Sequence, residues 1–279
     1  MSRADLGSDG SRVRLVSYNI LAARGWCAGE QPQSNPGPER PWIMGELTAA
    51  LGGLDADVIA LQECPARELV VAAADELGMH LAWFPACWPG DAVWVGGFPG
   101  AILSRWPLEE ARDEVTAHAD LDPTLFNRHW GSARVMTPGG PLLVHAYHCC
   151  SDFGGEFKES VRCAEIEAVL AAVGEDHAQA TVLLGDHNAD PGSAPLALLA
   201  AAGFVDAHAA AGTGDGFSCQ AIEPSCRIDQ CWLRGCRALR CAVQGQTPFG
   251  RRVDETAPAL SDHLPLMVEL VIPGGGSRP

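Results

Sequence analysis

At 279 residues the chain is long enough to bury a large core, and hydrophobic residues make up 47% of it. No segment reaches the roughly 18 uninterrupted apolar residues that a membrane helix needs. A formal charge of −16, with Lys158 the only lysine, makes an acidic body that repels polyanions, so long duplex nucleic acid is a poor first expectation as a partner.

The eleven cysteines contain no C-x-x-C pair. Even Cys226, Cys231, Cys236 and Cys241, evenly spaced, read as buried free thiols rather than a zinc or disulfide framework. Residues 1–12 are polar, without the basic and apolar stretches of a secretion signal, and are expected to be a flexible leader on a cytoplasmic protein.

Val13 to Leu21 has the β-branched and aromatic content of a strand, with Asn19 inside it needing partners. Residues 24–41 hold Pro32, Pro36, Pro38 and Pro41, with Trp26 and Trp42 near the ends, and read as a loop able to overhang a site. Trp42 to Leu54 places Ile43, Leu47, Ala50, Leu51 and Leu54 at helical spacing. Asp57 to Pro65 follows as a short buried strand terminated by Glu63, and residues 66–77 read as a helix stopped by Gly78.

Residues 81–94 are aromatic and interrupted by proline; residues 96–107 are a glycine-rich turn, a short strand and a turn. The glycines lack the G-x-x-x-x-G-K-[ST] spacing, which excludes the phosphate loop of nucleotide hydrolases. Residues 120–131 read as a long polar loop carrying Arg128, His129 and Trp130. Leu142 to Cys150 is a strand that ends at His148, on the face of Leu142, Val144 and Ala146 and opposite His145. Residues 160–173 form an amphipathic helix with Arg162 near its start.

The apolar run Thr181-Val182-Leu183-Leu184 then stops at Gly185-Asp186-His187-Asn188. Asp186 and Asn188 face the same way at a strand end, which suits a divalent cation or a phosphate, and equally a strand-to-loop turn. A helix around 194–202, a glycine-rich loop at 211–217 and a strand over 226–233 follow. That strand carries Asp229 in its middle, which is expensive unless paired. Asp262-His263 stands immediately before the last strand. One domain is expected over residues 13–271, with 272–279 a flexible tail.

Each polar residue alone has a structural explanation, but six apolar strands here deliver an acid, amide or imidazole near a terminus. The words Ser17-Tyr18-Asn19, Leu61-Gln62-Glu63, Leu103-Ser104-Arg105-Trp106-Pro107, Ala146-Tyr147-His148, Gly185-Asp186-His187-Asn188, Arg227-Ile228-Asp229 and Ser261-Asp262-His263 recur in family order. Over nearly the whole chain they resemble the endonuclease/exonuclease/phosphatase superfamily of metal-dependent phosphoesterases. The resemblance implies a DNase I-like fold, a four-layer α/β/β/α sandwich with two mixed β-sheets face to face, outer helices, and the site at one edge.

The same resemblance implies Glu63 as the main Mg²⁺ (or Mn²⁺) ligand, assisted by Asn19 and Asp262. Asp186 would activate or orient the attacking water, or protonate the leaving oxygen. Asn188 and His148 would bind phosphoryl oxygens, and His263, oriented by Asp229, would answer the charge that builds on the phosphorane. Arg162, Trp26, Arg128 and Trp130 complete the set as substrate-binding candidates, and Trp26, Trp42, Phe98 and Trp130 as stacking platforms.

Three departures stand out. Ala146 occupies a position where many relatives have asparagine, no carboxylate follows Asn19 by two positions, and His187 replaces an aromatic. The expected activity is hydrolysis of a phosphate ester of a small metabolite, nucleotide or lipid headgroup. The alternatives are a nuclease on RNA or single-stranded DNA, and a fold retained for biosynthetic or binding work.

Overall fold

Val58, Ile59, Ala60 and Leu61 are apolar at every position, the pattern of a strand covered on both faces. In the computed structural model Val58 and Ala60 point into one apolar layer, Ile59 and Leu61 into another. The neighbouring strand divides the same way, Val13 and Leu15 against Val16 and Tyr18. The structure describes residues 10–273 apart from 28, 31–39, 41, 92–93, 119, 153–157, 176–179 and 251–257.

In chain order the elements are β1 (Ser11–Asn19), a 3-10 turn (Leu21–Ala23), α1 (Ile43–Gly53), β2 (Val58–Gln62), α2 (Arg67–Leu77), β3 (His80–Phe84) and β4 (Gly100–Ser104). Then come β5 (Leu108–Asp113), α3 (Glu114–Ala117), β6 (Trp130–Thr137), β7 (Gly140–His148), α4 (Glu159–Glu175) and β8 (Ala180–Asp186). The chain continues through α5 (Ala194–Ala201), β9 (Val205–Asp206), α6 (Ala207–Ala211), β10 (Asp229–Arg234), β11 (Arg237–Val243) and β12 (Leu266–Ile272).

The strands form two six-stranded sheets, ordered β11-β12-β1-β2-β4-β3 and β5-β6-β7-β8-β10-β9. Leu15, Ile102 and Val268 of the first meet Val144, Val182 and Leu233 of the second between the sheets. Helices α1 and α2 cover the outer face of the first sheet through Ile43, Leu47 and Val70. Helices α4 and α5 cover the second through Ile166, Val169, Leu196 and Leu199. This is the four-layer α/β/β/α sandwich with two mixed sheets. No described helix is long and apolar enough to cross a membrane.

Each sheet holds one parallel pair at its centre, and these pairs define the functional edge. Strands β1 and β2 end in register at Asn19 and Gln62, and β7 and β8 at His148 and Asp186. Strand β10 runs antiparallel to β8 and starts with Asp229 opposite Asp186. Strand β12 starts at Leu266 opposite Ser17, so Asp262 and His263 enter at the same edge.

Several boundaries differ from expectation. Strand β1 starts at Ser11, inside the expected leader, and β12 runs through Ile272, into the expected tail; residues 1–9 and 274–279 lie outside the described residues. Most of the proline-rich loop, 31–39, is also outside them. Asp229 begins its strand rather than sitting in the middle, because Cys226 bridges to Cys219 and the Arg227 N–H goes to Asp190 instead of a sheet neighbour. The polar loop over 120–131 gives way to β6 at Trp130. Strands β3, β5 and β11 follow no expectation; β5 is an exposed edge strand of charged residues without alternation.

Candidate active site

Gly185 fixes how the chain leaves β8. Its φ is +147°, and a Cβ there would run into the Tyr147 carbonyl oxygen, so only glycine lets Asp186 end the strand in this way. Glu63, just after β2, has φ +50°, and Asn188, just after β8, has φ +47°. A left-handed backbone is costly for such residues and is held by the surrounding contacts, as is usual where side chains are aimed at a site.

The side chains converge. The Asn19 amide donates to Glu63 Oε1 at 3.1 Å and to Asp186 Oδ2 at 3.2 Å. His148 Nε2 lies 3.2 Å from the same Asp186 oxygen, and His263 Nε2 lies 3.7 Å from it. His263 Nδ1 pairs with Asp229 Oδ2 at 2.7 Å, and the Ser218 hydroxyl donates to that oxygen at 2.6 Å. The Asn188 backbone N–H donates to Asp186 Oδ1 at 2.9 Å, while its side-chain amide donates to the Cys149 carbonyl at 2.9 Å and lies 3.1 Å from His148 Nε2. The Ser261 hydroxyl ties this group to β1 through the Asn19 carbonyl at 2.7 Å and reaches Asp262 Oδ1 at 3.2 Å.

Glu63, Asp186, Asp229 and Asp262 are all buried. Burial pushes Glu63 up to about 7, against the pull of Arg128. Burial also raises Asp229 and Asp262, with His263 opposing in both. Burial acts the same way on Asp186, but His148 and His263 outweigh it and hold that carboxyl well below the usual range. Burial, helped by Arg128, lowers His148 to about 4 although Asp186 beside it pulls the other way. Burial opposes the charge on His263 too, yet Asp229 and its neighbours outweigh it and keep the imidazolium.

This donor set fits a hard divalent cation. Glu63, Asp262 and Asn19 offer oxygens, and carboxyls raised by burial signal negative charge short of a counterion. Asp229 Oδ1 is buried without a hydrogen-bond partner. Ligand atoms of Asp186, Asp229 and His263 also lie within 4.8 Å of one another. There, however, Asp229 and His263 are committed to each other, which leaves the Glu63 side as the better cation site.

Of the substrate-binding candidates, the structure brings only Arg128 to the cluster. Its guanidinium is buried, 3.4 Å from Glu63 Oε1 and 2.7 Å from the Ser151 hydroxyl, and lies over the Phe98 ring at 4.4 Å. Trp130 is a correction: it is fully buried beneath Phe126 and Tyr147, its Nε1 donating to His145 at 3.2 Å, so no substrate can stack on it. Trp26 is also buried, bridged to Ala259 and packed on Leu21 and Trp94. Arg162 is buried and bound to the Cys150 carbonyl and to Asp152 at 2.8 Å rather than to the cluster.

The departures have structural accounts. Ala146 packs between the sheets with Val144 and Leu184, behind His148 rather than beside the substrate edge. His187 turns away from the cluster and bonds the Tyr147 hydroxyl at 2.7 Å. All eleven cysteines are free thiols; Cys64, Cys149, Cys231 and Cys241 are buried, whereas Cys87 is exposed.

Glu165 went unnoticed in the sequence. It is fully buried on α4, and its two oxygens accept from the backbone N–H groups of Phe126 and Cys150, each at 2.9 Å. It thereby fastens the loops that carry Arg128 and Ser151. The available signal was an acid on the apolar face of an amphipathic helix, which must have partners.

Comparison with known proteins agrees with this architecture. Residues 16–263 match the Endonuclease/Exonuclease/phosphatase family, and the chain belongs to that family. Its members are phosphoester hydrolases and generally depend on a divalent metal. No curated protein matches the sequence. Similar solved structures include a functionally unknown conserved protein from Enterococcus faecalis V583, at 18% identity and TM-score 0.69, covering 92% of this chain and 99% of that one. A mannosyl-6-phosphatase from Bacteroides thetaiotaomicron VPI-5482 has 18% identity and TM-score 0.67, with coverage of 93% and 100%. Truncated Caenorhabditis elegans TDP2 has 16% identity and TM-score 0.64, with coverage of 95% and 100%. At these identities the likeness shows the fold.

Proposed function

We propose that the protein is a Mg²⁺- or Mn²⁺-dependent phosphoesterase that hydrolyses a phosphate ester of a small molecule by in-line attack of water. One observation carries the reading: Asn19, His148 and His263, from three separate strands or their approaches, all meet at Asp186 Oδ2, with Glu63 held in the same cluster by Asn19. Structural polar residues satisfy their own neighbours and have no need to converge from both sheets.

Glu63, Asp262 and Asn19 would hold the cation, which when bound supplies charge against the phosphoryl oxygens. Asp186, held ionised, accepts a proton from the attacking water. Asn188 and His148 bind non-bridging oxygens, and the imidazolium of His263, fixed by Asp229, answers the charge that accumulates on them. The acidic body favours a small substrate over a polyanion, and burial of Trp26 and Trp130 removes two stacking platforms from the nuclease alternative.

The test is a panel of phosphomonoesters and phosphodiesters with Mg²⁺ or Mn²⁺. Turnover that ceases in chelator supports the reading, and no turnover of any ester by metal-loaded protein overturns it.

A further inference from the structure

A cavity of about 270 Å³ opens beside Glu63, with Ala22, Met44, Cys64, Ala66, Leu69 and Trp94 in its wall. It adjoins the cluster along the chain and through a pair of ring contacts. Cys64 directly follows Glu63, and the Ala22 N–H donates to the Glu63 carbonyl at 2.7 Å. The Trp94 ring lies 5.1 Å from that of Phe98, which in turn meets His148 edge-on at 6.5 Å. One aromatic ring therefore separates the cavity from the imidazole assigned to the phosphoryl group.

The cavity also has two arginines in its wall, and both are engaged within the protein. Arg40 pairs with Glu30 at 2.7 Å and donates to the carbonyls of Arg24 and Gly25, while Arg24 lies over the Trp94 ring at 4.7 Å. What remains for a ligand is mostly hydrocarbon. Two of the four exposed large apolar side chains among the described residues, Leu69 and Val95, are in this wall, which is where a recognition surface leaves apolar groups uncovered.

We propose that this cavity receives an alkyl chain of the substrate, so that the ester hydrolysed carries a short hydrocarbon group rather than a sugar or a base next to its phosphate. The inference rests on the phosphoesterase reading. A cavity of ~150 Å³ holds one benzene, so this space takes a short hydrocarbon group.

The experiment uses non-hydrolysable alkylphosphonates from methyl to octyl, titrated calorimetrically into the full chain with Mg²⁺, alongside turnover of the matching alkyl phosphates. Affinity is expected to rise roughly threefold to fourfold per methylene until the cavity fills. Ω-hydroxylated analogues are expected to lose most of that gain. Ala66→Phe, which narrows the mouth, and Leu69→Gln, which makes it polar, are each expected to flatten the rise. Equal affinity for methyl- and octylphosphonate, or a rise that neither variant alters, would overturn the cavity assignment. Alkyl phosphates turned over with no chain-length dependence would leave the phosphoesterase reading standing and remove the cavity's role. Chain-length-dependent binding without turnover of any ester would overturn the phosphoesterase reading and, with it, the assignment of the bound chain to a substrate.

Discussion

Asn19 and Asp186 stand on different sheets and are joined by one hydrogen bond of 3.2 Å, made by the same amide nitrogen that donates to Glu63 at 3.1 Å. A single neutral donor thus spaces two buried carboxylates and pins the two halves of the sandwich at the functional edge. In Asn19→Ala both acids lose that donor, a loss of about 1–3 kcal/mol. In Asn19→Asp a further negative charge enters the cluster, so metal-free stability falls further and added Mg²⁺ recovers more of it. Thermal melts with and without Mg²⁺ check this; an equal magnesium-induced shift in wild type and Asn19→Asp would contradict it.

Metal-free stability should fall as pH rises through neutrality. His263 is held above 6.5 because Asp229 and its neighbours outweigh burial, so its contribution is complete below 6.5 and is lost as pH rises through its folded value. Burial raises Glu63 from 4.5 to about 7 against Arg128; its penalty is absent below 4.5 and complete above 7. Both act in one direction, whereas His148, which burial lowers to about 4, carries a cost that is complete below 4 and gone above 6.5. Asp186, held low by His148 and His263 against burial, adds stability above 3.8 that is lost only at more acid pH. Melting temperature in chelator is expected to decline from pH 6.5 towards pH 8, less steeply in Glu63→Gln. A melting temperature that climbs across that range would contradict the assignments.

Asp186→Asn and His263→Ala should each reduce turnover by about 10² to 10⁴, the range for general acid-base and charge-stabilising groups. Asp229→Asn should act through His263. With the carboxylate gone from its 2.7 Å contact, the imidazolium loses its proton at lower pH, and the alkaline limb of the rate profile shifts that way. Unchanged rates in the first two variants, or an unshifted limb in the third, would count against these roles.

Glu165→Ala should unfasten the loops of Phe126 and Cys150, at a cost of about 1–3 kcal/mol for each buried N–H left unpaired. Amide exchange at Phe126 and Cys150 should accelerate, and turnover should drop as Arg128 loses its setting beside Glu63. Protected amides with full activity would show that the fastening has no part in the site.

The cluster was legible where a polar residue interrupts an apolar strand. Glu63 after Leu61-Gln62, Asp186 after Leu183-Leu184-Gly185 and Asp262-His263 before Leu264 all break a run, and the break is visible without coordinates. The same reasoning failed for Trp130, which follows polar residues and so looked like loop, although β6 begins there and packs it beneath α4. Trp26 was misread for a related reason: its partner Ala259 is distant in sequence, and no local pattern announces that bridge. Ser218 and Glu165 act through contacts with Asp229 and with loop backbone that local periodicity does not encode. Edge strand β5 lacks alternation because water covers most of its side chains.

A magnesium titration of phosphoester turnover, run on wild type and Glu63→Gln after exhaustive chelation, puts the shared metal and ester site to the test. The wild-type protein should be inactive in chelator and recover with Mg²⁺, and Glu63→Gln should need a higher Mg²⁺ concentration for half-maximal rate. Turnover that persists in chelator, or superimposable titrations of the two proteins, would contradict it.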